Sequence, residues 1–220
     1  MNKKLFLFLT VIFSLNLSAQ NRNLTQYVDP FIGTGGHGHT YPGATLPFGM
    51  MQLSPDTGID GWDWCSGYHY SDNSIMGFSH THLSGTGATD YADILFMPTV
   101  GPLKFVAGSK ENPDEGYRSR FKHENETASP GYYSVYLDDY KVKAELTTTM
   151  RAGLHKYTFP KTAFANIIID LKHGLDSDCE AMIRFVGVNK VEGWRKSHGW
   201  AKEHTVYFSA EFSRPFLNCG

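Results

Sequence analysis

The chain has 220 residues, 41% of them hydrophobic and 19% charged, with a formal net charge of −2. That length can bury a sizeable core, and the composition is that of a globular rather than a disordered protein. The charge balance excludes the basic excess that would steer the chain to nucleic acid or to an anionic lipid surface.

From the N-terminus, Lys3 and Lys4 precede an apolar stretch from Leu5 to Leu15 and a small-residue end at Ser18-Ala19. This is the pattern of a secretory signal peptide over residues 1–19, cut after Ala19. A membrane anchor is the alternative, but the apolar run is too short to span a bilayer and no second one follows. The mature protein is therefore expected to be secreted or periplasmic and free of the membrane. No Cys stands near the cleavage site to accept a lipid.

The next stretch, Asn23 to about Pro98, is rich in Gly, His and aromatics and reads as loops hung on short strands. Gly35, Gly36 and Gly38 let the backbone approach a ligand and offer N–H donors, although a tight turn is the commoner use of glycine. No Lys-Ser/Thr pair follows Gly33-Thr34-Gly35-Gly36-His37-Gly38 and no helix pattern begins after it, so the signal for a phosphate loop is weak. His37 and His39, and likewise His80 and His82, stand two apart, so in extended chain each pair shares a face. Four converging imidazoles could bind zinc, but no Cys or Glu stands at ligand spacing, and hydrogen bonding to nearby backbone is the simpler role.

Gly61-Trp62-Asp63-Trp64-Cys65-Ser66-Gly67-Tyr68-His69-Tyr70 packs four aromatic rings that could stack on the apolar face of a sugar. If the segment is a strand, both indoles lie on one face and one of them serves the core. Asp56, Asp60, Asp63, Asp90 and Asp93 fall in the same half, each suited equally to turn capping.

Downstream the pattern changes. Tyr133, Val135 and Leu137 alternate with polar or outward positions, as do Val142, Ala144, Leu146 and Met150 with Lys141, Lys143 and Glu145. Period two means half-buried antiparallel strands. Further strands are predicted over Leu154 to Phe159, Phe164 to Leu171, Ala181 to Val188 and Thr205 to Phe212, each bounded by turn residues. With no convincing amphipathic helix, the fold class is all-β, an antiparallel β-sandwich over residues 23–220. The chain stops soon after a strand-like run, so the domain is expected to be incomplete. Cys65, Cys179 and Cys219 are odd in number and too widely spaced for a CxxC motif, so at most one pair can form.

Two blocks carry a resemblance. The first is Val28-Asp29-Pro30-Phe31-Ile32-Gly33-Thr34-Gly35-Gly36-His37-Gly38-His39-Thr40-Tyr41-Pro42-Gly43-Ala44 with Pro47-Phe48-Gly49-Met50 and Ser54-Pro55-Asp56. The second runs from Gly77-Phe78-Ser79-His80-Thr81-His82-Leu83-Ser84-Gly85-Thr86-Gly87 through Asp93-Ile94-Leu95 to Met97-Pro98. Together they closely resemble the opening domain of family 92 glycoside hydrolases, densely from Gln26 to Gly101 and by strand character beyond.

The resemblance implies a calcium-dependent, inverting exo-α-mannosidase in which a β-sandwich packs on a larger helical-barrel catalytic domain, with the active site between them. It implies mannose-containing glycans as partners, with linkages such as α-1,2, and a helical catalytic domain for which these 220 residues leave no room. Inversion needs an acid and a base about 6.5–9.5 Å apart. Both are expected in that absent domain, with most of the Ca2+ ligands, so no catalytic or metal residue is assigned here. The resemblance implies substrate contacts from Trp64 and Cys65, and pocket-shaping roles for Gly35, Gly36, His39 and His82. A non-catalytic carbohydrate-binding module and a docking module for a separate catalytic subunit are the alternatives.

Overall fold

A computed structural model describes residues 23–88, 90–174 and 180–220; the expected leader and Cys179 lie outside the described residues. Fourteen short strands are present among them: β1 (Ala44–Thr45), β2 (Gln52–Asp56), β3 (Ser74–Ile75), β4 (Gly77–Ser79), β5 (Leu95–Val100), β6 (Ser119–Arg120), β7 (Glu126–Ser129), β8 (Tyr132–Leu137), β9 (Val142–Thr148), β10 (Gly153–Thr158), β11 (Ala165–Asp170), β12 (Glu180–Val186), β13 (Lys190–Ser197) and β14 (His204–Glu211). The helical segments are single 3-10 turns, and none is long and apolar enough to cross a membrane.

The strands form a five-stranded sheet in the order β1-β2-β4-β5-β11, a four-stranded sheet β10-β9-β8-β7, a three-stranded sheet β12-β13-β14 and the pair β3-β6. Their pairings are antiparallel, and the first two sheets face each other as an all-β sandwich. The alternation in the sequence decides this. Tyr133 opposes Leu146, Val135 opposes Ala144 and Leu137 opposes Val142, so the apolar half of each strand shares one face. All six are buried, and they meet Ala44, Leu53, Phe78, Leu95 and Met97 from the five-stranded sheet in one core. Each such large side chain stabilises the fold by about 1.5–3 kcal/mol relative to exposure. β5 is buried along nearly its whole length, so both of its faces are covered.

The three-stranded sheet follows a different rule. The buried positions of β13 are Val191, Gly193, Arg195 and Ser197, so one large apolar residue stands among a glycine and two polar groups. β12 is largely exposed, with Met182, Ile183 and Phe185 open to solvent on an edge strand.

Within the sandwich β2 and β4 are neighbours, Ser54 opposing Ser79 and Asp56 opposing Gly77. The segment after β4 then folds back along β2, because His82 touches both Gln52 and Asp56. Three loops thereby meet over β2: residues 33–40, 61–70 and 82–87.

Candidate functional site

The 33–40 loop is closed by hydrogen bonds from Gly38 N to Gly35 O at 3.2 Å and from Thr40 N to Gly33 O at 3.2 Å. Gly38 is obligatory there, because a Cβ would stand 1.9 Å from the Gly33 carbonyl oxygen. Tyr70 N donates to Thr34 O at 2.8 Å, His69 Nε2 to Gly36 O at 3.0 Å, and Gly85 N to His39 O at 2.6 Å. Gly35 and Gly36 are exposed at its crest, while His39 is buried at its foot. The His39 Nε2 atom is buried with no hydrogen-bond partner, 3.9 Å from Asp63 Oδ1. An orphaned buried nitrogen is costly, of order 1–3 kcal/mol, and rare enough to mark a position.

The aromatic segment does not form the strand considered from sequence. Residues Trp62–Trp64 make a 3-10 turn, and the two indoles part company. Trp62 is 60% exposed and lies edge-on to the His39 ring at 4.9 Å. It rests on Gly87, where a Cβ would come within 2.0 Å of the indole. Trp64 is half-buried and clamped: its Nε1 donates to Asp72 Oδ2 at 2.6 Å, and Lys110 Nζ sits 3.5 Å from the ring centroid while pairing with Asp72 at 3.0 Å. One face of Trp64 is thus taken by a cation, and the exposed ring is that of Trp62. Cys65 is buried with its thiol directed to the Thr86 carbonyl, and burial pushes its pKa up. His37 Nδ1 meets Asp63 Oδ1 at 2.5 Å, a hydrogen bond that lowers the Asp63 pKa.

Beneath this surface lies a buried polar layer. Asp56 is fully buried between His82 Nε2 at 2.8 Å and His173 Nε2 at 2.7 Å. Burial alone would raise its carboxyl, but the charge of His82 and the hydrogen bonds from His173 and His82 win and hold it at about 2. His82 also directs Nδ1 to the Gln52 carbonyl at 2.7 Å, lies 3.0 Å from Ser79 Oγ and packs on Tyr41. With both ring nitrogens engaged and 2% exposure, His82 stands in the floor that supports the loops. His80 turns elsewhere, to His155 Nε2 at 3.0 Å and the Ile94 carbonyl at 2.6 Å. The four histidines therefore do not converge.

Asp93, also fully buried, pairs with Arg195, accepts from Thr81 Oγ1 at 2.8 Å and lies 3.6 Å from His204. Asp90 caps backbone, accepting from Tyr91 N at 2.9 Å and Trp200 N at 2.8 Å. These three buried carboxylates are spent on scaffolding. Among the described residues no group of three or more His, Cys, Asp or Glu side chains converges to hold a metal. The residues present do not by themselves fit a Ca2+ ion, which wants six to eight oxygens. His173 and Arg195 escaped sequence reasoning because they stand 117 and 102 residues from their partners, Asp56 and Asp93. No local spacing encodes such pairings.

The loops also border a shallow cavity of about 350 Å³ lined by Asp29, Phe31, Ile32, Thr34, Gly35 and Tyr70. Neither Trp62 nor His39 lines it.

Comparison with known proteins bears on this arrangement. The family described as glycosyl hydrolase family 92 N-terminal domain matches residues 27–220. A family 92 alpha-mannosidase from Bacteroides thetaiotaomicron, solved in complex with mannoimidazole, superposes with a TM-score of 0.87 at 47% identity, over 89% of this chain and 26% of that one. A family 92 inverting mannosidase from the same species gives 0.68 at 27% identity, over 88% and 25%. A protein of Arthroderma benhamiae named an uncharacterized secreted glycosidase is 31% identical over 176 residues, 73% of this chain and 21% of that protein. The chain thus spans about a quarter of the length of the solved relatives and about a fifth of the curated one.

Proposed function

Because the chain belongs to glycosyl hydrolase family 92 through its N-terminal domain, we propose that it is the sandwich portion of a secreted, inverting exo-α-mannosidase acting on mannose-rich glycans, α-1,2 linkages among them. The 33–40, 61–65 and 82–87 segments supply one wall of its sugar pocket. In this reading Trp62 offers the apolar platform, Gly35 and Gly36 bring backbone donors, and His39 donates or accepts at a sugar hydroxyl. Trp64 and Cys65 stiffen that wall, and His82 supports it from below. Ca2+ and both catalytic carboxyl groups come from sequence outside these 220 residues, and a leader over residues 1–19 directs export.

The observation that carries the reading is the convergence of an exposed indole and an unpartnered, buried imidazole nitrogen on a glycine-rich loop. Such a site combines an apolar face with few polar groups of fixed direction, as sugar pockets do. The buried carboxylates argue the same division of labour. Asp56, held at about 2, is fully ionised at neutral pH and has no proton to give a leaving group.

The purified 220-residue chain with Ca2+ is expected to release no mannose from α-1,2-mannobiose, and to bind methyl α-mannoside weakly through Trp62. Trp62→Ala should abolish the sugar-induced change in indole fluorescence without lowering the urea midpoint. Turnover by the chain alone, or an equal response from parent and variant, would overturn this assignment.

A further inference from the structure

The cavity bordered by Thr34 and Gly35 of the 33–40 loop has the build of a second sugar site. Its walls are two aromatic rings, Phe31 and Tyr70, set edge to face at 6.0 Å. Tyr70 is 45% exposed, yet the back of its ring is not loose: His123 stacks on it at 4.1 Å and 14°. His123 is in turn fixed by Nδ1 to Glu126 Oε2 at 2.8 Å, and Glu126 is buried beneath the hydroxyls of Tyr68 at 3.0 Å and Tyr133 at 2.6 Å. An exposed ring held from behind by an anchored stack loses little freedom when a ligand covers its front.

The polar lining is as telling. Asp29 offers an exposed carboxylate, with Oδ1 already accepting from Phe31 N at 2.9 Å, while the buried Thr34 hydroxyl donates to Phe31 O at 2.8 Å and holds the wall in place. Among the described residues no Lys or Arg lines the cavity, which favours a neutral, hydroxyl-rich ligand with one apolar face over an anion. The volume lies in the range of small-molecule clefts, about 300–1,000 Å³. Gly35 lines this cavity and also belongs to the loop that carries His39, so one short loop faces both places.

We propose that Asp29, Phe31, Thr34, Gly35 and Tyr70 form a second pyranose subsite, which holds another residue of the same glycan whose terminal sugar occupies the Trp62 and His39 pocket. The proposal rests on that pocket being the sugar site. Tyr70 supplies the stacking face and Asp29 accepts from a hydroxyl pair, while His123 and Glu126 are positioning residues behind Tyr70.

Titration of the 220-residue chain with methyl α-mannoside and with α-linked mannotriose, followed by NMR shifts, tests it. The trisaccharide should bind about two- to tenfold more tightly, the worth of one aromatic contact. Tyr70→Ala should remove that advantage and leave methyl α-mannoside binding unchanged, and Tyr70→Phe should keep it. Equal affinity of the parent for both sugars, with Trp62 responding, would overturn the second subsite and leave the first standing. Loss of both ligands in a folded Tyr70→Ala protein would likewise overturn it. A folded parent that binds neither sugar would sink the Trp62 pocket and this inference with it.

Discussion

Asp56 is where a single side chain holds the site together. It joins His82, from the segment after β4, to His173, from the segment after β11, inside a layer from which water is excluded. Removing one partner of such a buried cluster leaves the others uncompensated, so Asp56→Asn should cost about 3–5 kcal/mol, measured by urea denaturation at pH 7. The pH dependence has a definite sign. Its folded pKa, about 2, lies below the ordinary 3.8, so the stability it contributes is present above about pH 4 and lost as pH falls towards 2. A variant whose stability matches the parent's at pH 7 would count against this account. The sequence made His82 and the glycine loop visible because they sit in dense, ordered motifs. It could not make His173 visible, since a histidine between lysine and glycine carries no local mark of a partner 117 residues away.

Among the elements, three strands of the four-stranded sheet and most of the later strands were legible almost to the residue, whereas β7 was not predicted. The alternation of Tyr133 to Leu137 became β8, that of Val142 to Met150 became β9, which ends at Thr148 and leaves Met150 exposed beyond it, and the stretches from Leu154, Phe164, Ala181 and Thr205 became β10, β11, β12 and β14. β13 was not legible, because Arg195 and Ser197 occupy the inward positions where the period-two rule expects apolar residues. Asp93 makes that arginine tolerable. The sheets of the sandwich are also joined by a polar link that no pattern announces. His80, just past β4, donates Nδ1–H to the Ile94 carbonyl, so its Nε2 must accept from His155 on β10, whose Nδ1 accepts in turn from the Tyr157 hydroxyl. With both rings neutral the chain closes in this direction, whereas with both protonated two N–H groups would face each other and it could not. Burial pushes His80 down to about 4 and holds His155 well below 6.5, with His80 adding to the effect on His155. His82 and Asp56 are the other titratable groups acting on His80, with opposite signs. The unfolded chain therefore binds more protons between about pH 6.5 and 4, and stability should fall as pH drops through that window. Urea midpoints should fall across that range, and His155→Gln should flatten the slope. An unchanged slope in the variant would reject the cross-sheet link as its source.

At the scale of the whole molecule, surface and interior are divided unevenly. The sandwich core is closed, whereas β12, the turn that follows it and the stretch after β14 leave Met182, Ile183, Phe185, Val188 and Leu217 open to solvent. The same unevenness separates the cysteines. Cys65 is sealed beneath the Thr86 carbonyl at the joint between two site loops, while Cys219 is exposed near the chain end. Thiols differing this much in access amount to a built-in chemical clock. In a Cys179→Ser background, a maleimide should modify Cys219 at once near neutral pH and Cys65 only as fast as the 61–70 and 82–87 loops part. The second labelling phase would then time the opening of the site, and a saturating sugar that slows it would record binding without any measurement of hydrolysis.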